Sequence, residues 1–179
     1  MQLKIFPLSI LLSCLVSCQG NTLIHEYEHV DADGWRRSDT ITFLIPSVPE
    51  SGTYEVSVGL RLQNNFSYEE INLTTELCLE NPAMHKKSNL CITTTDKEGR
   101  LLGYGIAYHQ YEQPSMRIQL QKGQQGKVMV YHNMNKEILF RLTDVGVCIE
   151  HSCCRRFLPA SILRKIKSNI VNPHKEEPP

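Results

Sequence analysis

The 179 residues carry 19 Lys/Arg, 19 Asp/Glu and 41% apolar side chains. That is chain and apolar surface enough for one domain of ordinary size, and a formal net charge of zero supplies no overall field to recruit nucleic acid or an anionic membrane. The balance is uneven: from His151 to Pro179 six Lys/Arg stand against Glu176 and Glu177, a local net of +4, so the rest sums to −4.

The chain opens MQLKIFPLSILLSCLVSC. Lys4 beside a free amino terminus, an apolar run from Ile5 to Val16, then Ser17 and Cys18, make an export signal. The run falls well short of the roughly 20 residues a membrane-spanning helix needs. Leu15-Val16-Ser17-Cys18 looks like a bacterial lipobox, in which a peptidase cuts before a diacylglycerol-bearing cysteine, so Cys18 is the expected lipidation site. Leu11-Leu12-Ser13-Cys14 is a rival with a shorter apolar core and bulky Leu12 where the first has Val16. A plain secretory signal with a coincidental cysteine is the bland alternative. Acyl chains on Cys18 would tether a soluble domain to a membrane. Gln19, with no acidic run after it, points to the outer membrane, facing the periplasm.

HEYEH, residues 25–29, matches the H-E-x-x-H signature of zinc proteases. That chemistry needs two histidines on one face of a helix, with the Glu free to activate a metal-bound water. Here Asp31-Ala32-Asp33-Gly34 follows at once and no third ligand is evident. As a strand, the segment puts His25, Tyr27 and His29 on one face and Ile24, Glu26, Glu28 and Val30 on the other. The strand reading is preferred and no metal or other cofactor is expected. The chain also lacks G-x-S-x-G and a phosphate-binding glycine loop, so catalysis is not expected.

From Thr40 the dominant period is two. In TYEVSVGLRL, Tyr54, Val56, Val58, Leu60 and Leu62 alternate with polar residues, as a half-buried strand requires. Ile71 to Glu80 repeats this with Ile71, Leu73, Leu77 and Leu79. Shorter runs follow at Ile41/Phe43/Ile45, Leu90/Ile92, Met116/Ile118/Leu120, Val128/Val130 and Val145/Val147/Ile149. PSVPESG, QNNFS, DKEG and KGQQG mark turns between them. The pattern predicts an all-β, antiparallel β-sandwich, immunoglobulin-like or jelly-roll-like. The expected organisation is a signal peptide over 1–17, a tether over 18–24, the sandwich over 25–150 and a basic tail over 151–179. Within the tail, Ile162, Leu163, Ile166 and Ile170 have the spacing of a short amphipathic helix over Pro159–Ile170, set on a membrane surface or against the sandwich. The last residues, NPHKEEPP, have the composition of a disordered end.

An exported chain meets an oxidising compartment. Cys78 and Cys91 lie on the polar faces of their strands, and a hairpin turning at Met84 and His85 would bring them opposite each other, a candidate disulfide; the alternative is two thiols bordering the sheet. CIEHSCC holds Cys148, His151, Cys153 and Cys154, for which a metal, a disulfide through Cys148, or free or intermolecular thiols are the options. Five cysteines after Cys18 leave at least one without an internal partner. Trp35, Tyr104, Tyr108 and Tyr111 are candidates for stacking on a sugar or peptide, although buried anchoring is the commoner role.

From about Tyr27 to Glu150 the chain resembles the gliding motility-associated lipoprotein family GldH. The resemblance rests on the lipobox, an EYE segment leading into DADGWRRSDTITFLIP, the paired-strand stretch TYEVSVGLRLQNNFSYEEINLTTEL, DKEGRLLGYGIAYHQY, MVYHNM and the closing TDVGVCIE. It implies a periplasm-facing lipoprotein of the motility machinery with no known catalysis, whose partners are the membrane through its anchor and other envelope proteins. In that family the EYE segment carries no zinc motif. CIEHSCC and the basic tail fall outside the shared pattern. A sugar- or peptide-binding sandwich is the second hypothesis and a zinc enzyme at HEYEH the third.

Overall fold

A computed structural model describes residues 21–152. Cys18, Cys153, Cys154 and the helix expected over Pro159–Ile170 lie outside the described residues.

Ten strands follow in order: β1 (Thr22–His29), β2 (Trp35–Arg36), β3 (Ile41–Ile45), β4 (Gly52–Gln63), β5 (Glu70–Glu80), β6 (Met84–Thr93), β7 (Tyr108–Leu120), β8 (Gln125–His132), β9 (Ile138–Leu139) and β10 (Leu142–His151). One sheet has the order β1-β10-β4-β7, the other β3-β8-β5-β6, and every pairing is antiparallel. Setting aside the two-residue ribbon β2-β9, the eight long strands run 1-8-3-6 and 2-7-4-5, the order of a jelly roll. Of the two sandwich types expected, this is the second.

The alternating residues close the core. Val56, Val58, Leu60 and Leu62 of β4 and Val145, Val147 and Ile149 of β10 are buried with Ile71, Leu73 and Leu77 of β5 and Val128 and Val130 of β8. Each such side chain is worth about 1.5–3 kcal/mol when removed from water. Among the described residues the first strand opens at Thr22, inside the stretch expected to be tether, and Ile24 packs into the core.

Connections differ between the two ends of the sandwich. At one end, 46–51, 81–83 and 121–124 are short, and both described termini emerge there. At the other, 30–40, 64–69, 94–107 and 133–141 form longer loops. There the ribbon β2-β9 pins two loops together, and Trp35 is driven into the core, 2% exposed. Its indole Nε1 donates to Asp39 O at 3.2 Å, and its ring meets that of buried His132 edge-on at 5.2 Å.

The hairpin β5-β6 departs from expectation. It turns at residues 81–83, where Asn81 takes a left-handed φ of 49°, and not at Met84 and His85. The register sets Cys78 opposite His85 and Cys91 opposite Asn72. Six strand positions, about 20 Å at ~3.3 Å per residue, then separate the two cysteines, and both are free thiols. The expected disulfide is therefore not made. Burial and the neighbouring Glu70 push the Cys91 thiol above its ordinary value. Cys148 is buried on β10, and the neighbouring cysteines considered with it, Cys153 and Cys154, lie outside the described residues.

Candidate functional site

HEYEH lies in β1, where successive side chains alternate faces. Four strand positions put about 13 Å of backbone rise between His25 and His29, where a zincin helix would bring them within one turn. Among the described residues no group of three or more His, Cys, Asp or Glu is placed to hold a metal ion.

Tyr27, the centre of the motif, has a different task. The register aligns Tyr27, Gly146, Gly59 and Glu112 in one row across all four strands of the first sheet. With no side chain at either glycine, the tyrosine ring lies flat on the sheet's outer face. A Cβ on Gly146 would meet ring atoms at 2.6 Å, and one on Gly59 would strike the hydroxyl. At the far strand, Gln110 Nε2 donates to Tyr27 Oη at 3.1 Å. Burial, with Glu112 adding to it, raises the phenol pKa above its ordinary value, so the ring stays neutral.

The next row toward the loop end is polar: His29, Asp144, Arg61 and Gln110. The Arg61 guanidinium stacks on the Tyr27 ring at 4.1 Å and lies 4.0 Å from Asp144. His29 Nδ1 approaches Asp144 from the other side at 3.5 Å. Stacking on Tyr27 and the approach of Asp144 together hold the Arg61 guanidinium in place. Gly105, Ile106, Ala107 and the two tyrosines 104 and 108 wall this row into a groove of about 570 Å³, a size that takes a small ligand or a partner's loop.

The wall is well anchored. Tyr104 and Gln110 exchange backbone hydrogen bonds, Leu102 N bonds Thr94 O, and Asn64 Nδ2 donates to Ile106 O at 3.2 Å. Tyr111 is the post around which the loop turns: its hydroxyl donates to Thr94 O at 2.7 Å, and Gly103 passes so close to its ring that a Cβ would fall 2.6 Å away. Out of this held backbone project Tyr104, 71% exposed, Tyr108, 53%, and Ile106, 94%.

The four aromatic candidates thus divide. Tyr104 and Tyr108 face the groove, whereas Trp35 and Tyr111 are buried anchors, which removes both from the ligand-facing set. Arg61, Asp144, Gln110 and Ile106 were not singled out by sequence. Their only sequence signal is that Arg61 and Asp144 occupy outward positions at the ends of strongly alternating strands.

On the outer face of the second sheet, Tyr131 relays between charges: Lys87 Nζ donates to its hydroxyl at 2.7 Å, which donates to Glu76 Oε1 at 2.6 Å. That hydrogen bond, helped by Lys87, holds the Glu76 carboxyl down at about 2, and the same network pushes Lys87 up to about 12. The network ties β5, β6 and β8 together.

Comparison with known proteins adds the following. In solved structures, the chain is similar to a Podospora anserina GH26-CBM35 β-(1,4)-mannanase at 17% identity, covering 78% of this chain and 27% of that one with a TM-score of 0.37. It is also similar to a CBM35 from Cellvibrio japonicus at 13% identity, covering 77% and 95% with a TM-score of 0.34. The gliding motility lipoprotein GldH of Flavobacterium johnsoniae is 28% identical over 93 residues, which span 51% of this chain and 57% of that protein. The matched stretch is thus little more than half of that relative. Residues 22–149, nearly the whole jelly roll, match the GldH lipoprotein family, and the chain belongs to it.

Proposed function

We propose that this protein is a non-catalytic envelope lipoprotein, acylated at Cys18, facing the periplasm from the outer membrane, and acting in a gliding-type machinery by binding another envelope protein through its loop end. The observation that carries this is the rigid loop 101–108, which offers Leu102, Tyr104, Ile106 and Tyr108 to solvent at the end opposite Thr22. Soluble proteins rarely group exposed apolar residues without a partner. Tyr, Arg and aliphatic side chains with few carboxylates or lysines suit the centre of a protein interface. The non-catalytic reading is supported by β1, in which the only motif with catalytic spelling spends its tyrosine on packing.

Two measurements test this. Metabolic labelling with a fatty acid should mark the wild type and spare Cys18→Ala; label retained in that variant removes the anchor. A photoreactive residue at position 106 should give a discrete adduct in intact cells that is lost with Arg61→Ala, and an adduct indifferent to Arg61 argues against the loop end as the interface.

A second reading, a saccharide or short peptide in the groove, is favoured by the two exposed tyrosines over the Arg61, Asp144 and Gln110 row. Calorimetric titration with cell-wall saccharides and peptides should show binding that Tyr108→Ala abolishes. Heat-silent titrations across both panels would leave the protein-binding reading alone. Trp35, buried against His132, is a poor reporter for this.

A further inference from the structure

The sandwich has two open sides, and they are finished differently. On one, the edge strands are β6 and β7, and side chains close the gap: Lys86 Nζ donates to Arg117 O at 2.7 Å and Ser88 Oγ to Ser115 O at 2.9 Å. β7 is also interrupted by Pro114 and by a register shift opposite Val56 and Ser57. Charged side chains, a proline and an irregular register are the usual guards of a sheet edge. On the other side the edge strands are β1 and β3. β1 is guarded by Glu26 and Glu28 and by a register shift between Thr22 and Ile24.

β3 has no such guard. Its sequence, ITFLI, carries no charge, proline or glycine, and it pairs with β8 in unbroken register. Phe43 and Ile45 hold it to the core, while Leu44 stands on the outer face, 72% exposed. Along the edge away from β8, its amides and carbonyls have no backbone partner among the described residues. Such a row of donors and acceptors is matched along its whole length by another extended strand. The carboxylates beside it say what that strand carries. Glu26 and Glu28 share the parity of Ile24, which packs into the core, so they belong to the inner side of β1, yet both are exposed. Neither is in an ion pair among the described residues. Two strand positions put them about 7 Å apart, the spacing of alternate side chains on a strand laid opposite.

We propose that the β3 edge takes an extended segment of another polypeptide in which Lys or Arg recurs at every second position. Its backbone extends the second sheet beyond β3, its basic side chains reach Glu26 and Glu28 across the open side, and its other face sets apolar side chains beside Leu44. This contact is separate from the loop-end groove and uses neither Arg61 nor the loop 101–108.

The probe is a short synthetic peptide alternating lysine and valine, titrated into the full chain with hydrogen exchange and fluorescence anisotropy as readouts. Exchange should slow at the outward amides of residues 41–45. Combining Glu26→Gln with Glu28→Gln, both exposed, should weaken binding on the order of ten-fold, and a peptide with glutamate in place of lysine should not bind. The lysine peptide N-methylated at every second amide should lose binding in one phase of methylation and keep it in the other, because only one edge of the peptide pairs with β3. Equal binding in both phases means that charge alone attracts the peptide, and overturns the proposal; so does slowed exchange elsewhere than 41–45, or no loss in the double variant. Outward amides of 41–45 that are already protected without peptide give the edge another occupant and equally overturn it: a second copy if the protection depends on protein concentration, the chain's own end if removing 153–179 abolishes it. An Arg61-dependent adduct at position 106 reads the loop end independently, so either contact can fail while the other stands.

Discussion

The two ends of this jelly roll are built to different rules. At the end where the termini emerge, turns of three, four and six residues join the strands, leaving little beyond backbone turns. At the other, loops as long as the stretch 94–107 are tied down by buried aromatics and then expose apolar side chains. Closing the core does not require apolar side chains to be left in solvent at that end. Loops on a rigid scaffold are where binding concentrates, and here the scaffold extends into the loops themselves.

The largest expected effect tests whether the loop end is packed as the core is. Trp35→Ala should cost about 3–5 kcal/mol, the range for a buried aromatic replaced by alanine, read from urea unfolding. The indole is the wedge between the ribbon β2-β9 and His132. A cost below about 1 kcal/mol would mean that the loops merely drape over the sandwich, and the contrast between the ends would fail.

A smaller loss is expected beneath the groove. Gly146→Ala places a methyl against the Tyr27 ring and should destabilise by about 1–3 kcal/mol, as overpacking does. Combined with Tyr27→Ala the methyl has room, so the double variant should lose markedly less than the two singles together. Strict additivity would show that the ring does not occupy the glycine row in solution.

These rows explain what sequence could and could not reveal. The inward faces of β4, β5 and β10 are legible because each strand carries its own alternation, whatever its neighbours do. Half of β6 is not: Lys86 and Ser88 occupy inward positions and read as loop, yet at the sandwich edge their side chains bond Arg117 O at 2.7 Å and Ser115 O at 2.9 Å across to β7. That bridge offsets the burial cost that alternation rules assume, and misplacing the turn there misplaces Cys78 against Cys91. The groove was hidden for a related reason. His29, Arg61, Gln110 and Asp144 come from four strands, and only the register puts them in one row. Tyr27 was visible as part of a motif, but its role depends on two glycines remote in the chain.

A third prediction separates the ends by pH. His132 is fully buried and its Nε2 faces Trp35 O at 3.1 Å; a carbonyl only accepts, so Nε2 carries a proton, and burial favours the neutral ring. Burial lowers its pKa below the ordinary 6.5 and outweighs the bond to Trp35 O, which raises it; Arg37 acts with burial, Glu137 and Asp39 against it. The unfolded chain therefore takes this proton first on acidification. The stability contribution is fully present above about 6.5 and is lost as pH falls toward the depressed value. Glu76, held near 2 against an ordinary 4.5, loses its contribution in a lower window, from about 4.5 downward. Hydrogen-exchange protection, corrected for the intrinsic rate at each pH, should therefore fall below pH 6.5 first around Trp35 and β8, and His132→Gln should flatten that response while leaving the lower window unchanged. Unfolding midpoints of the two proteins that track each other across the upper window would count against a neutral buried His132.

The smallest effect on stability should carry the largest consequence for function. Ile106 is held by its backbone through Asn64 while its side chain, 94% exposed, touches little of the domain. Ile106→Asp should change the unfolding free energy by no more than about 0.5 kcal/mol, as surface substitutions do. It should nevertheless abolish partner crosslinking from a neighbouring probe such as position 104, because a charge at the centre of an apolar contact must be desolvated without a counterion. A matched substitution at Leu44, the exposed apolar residue on edge strand β3, should leave that crosslink intact. If both variants weaken it alike, exposed apolar surface in general is what the partner reads and the loop end loses its special standing; if only Ile106→Asp does, the asymmetry between the ends is functional.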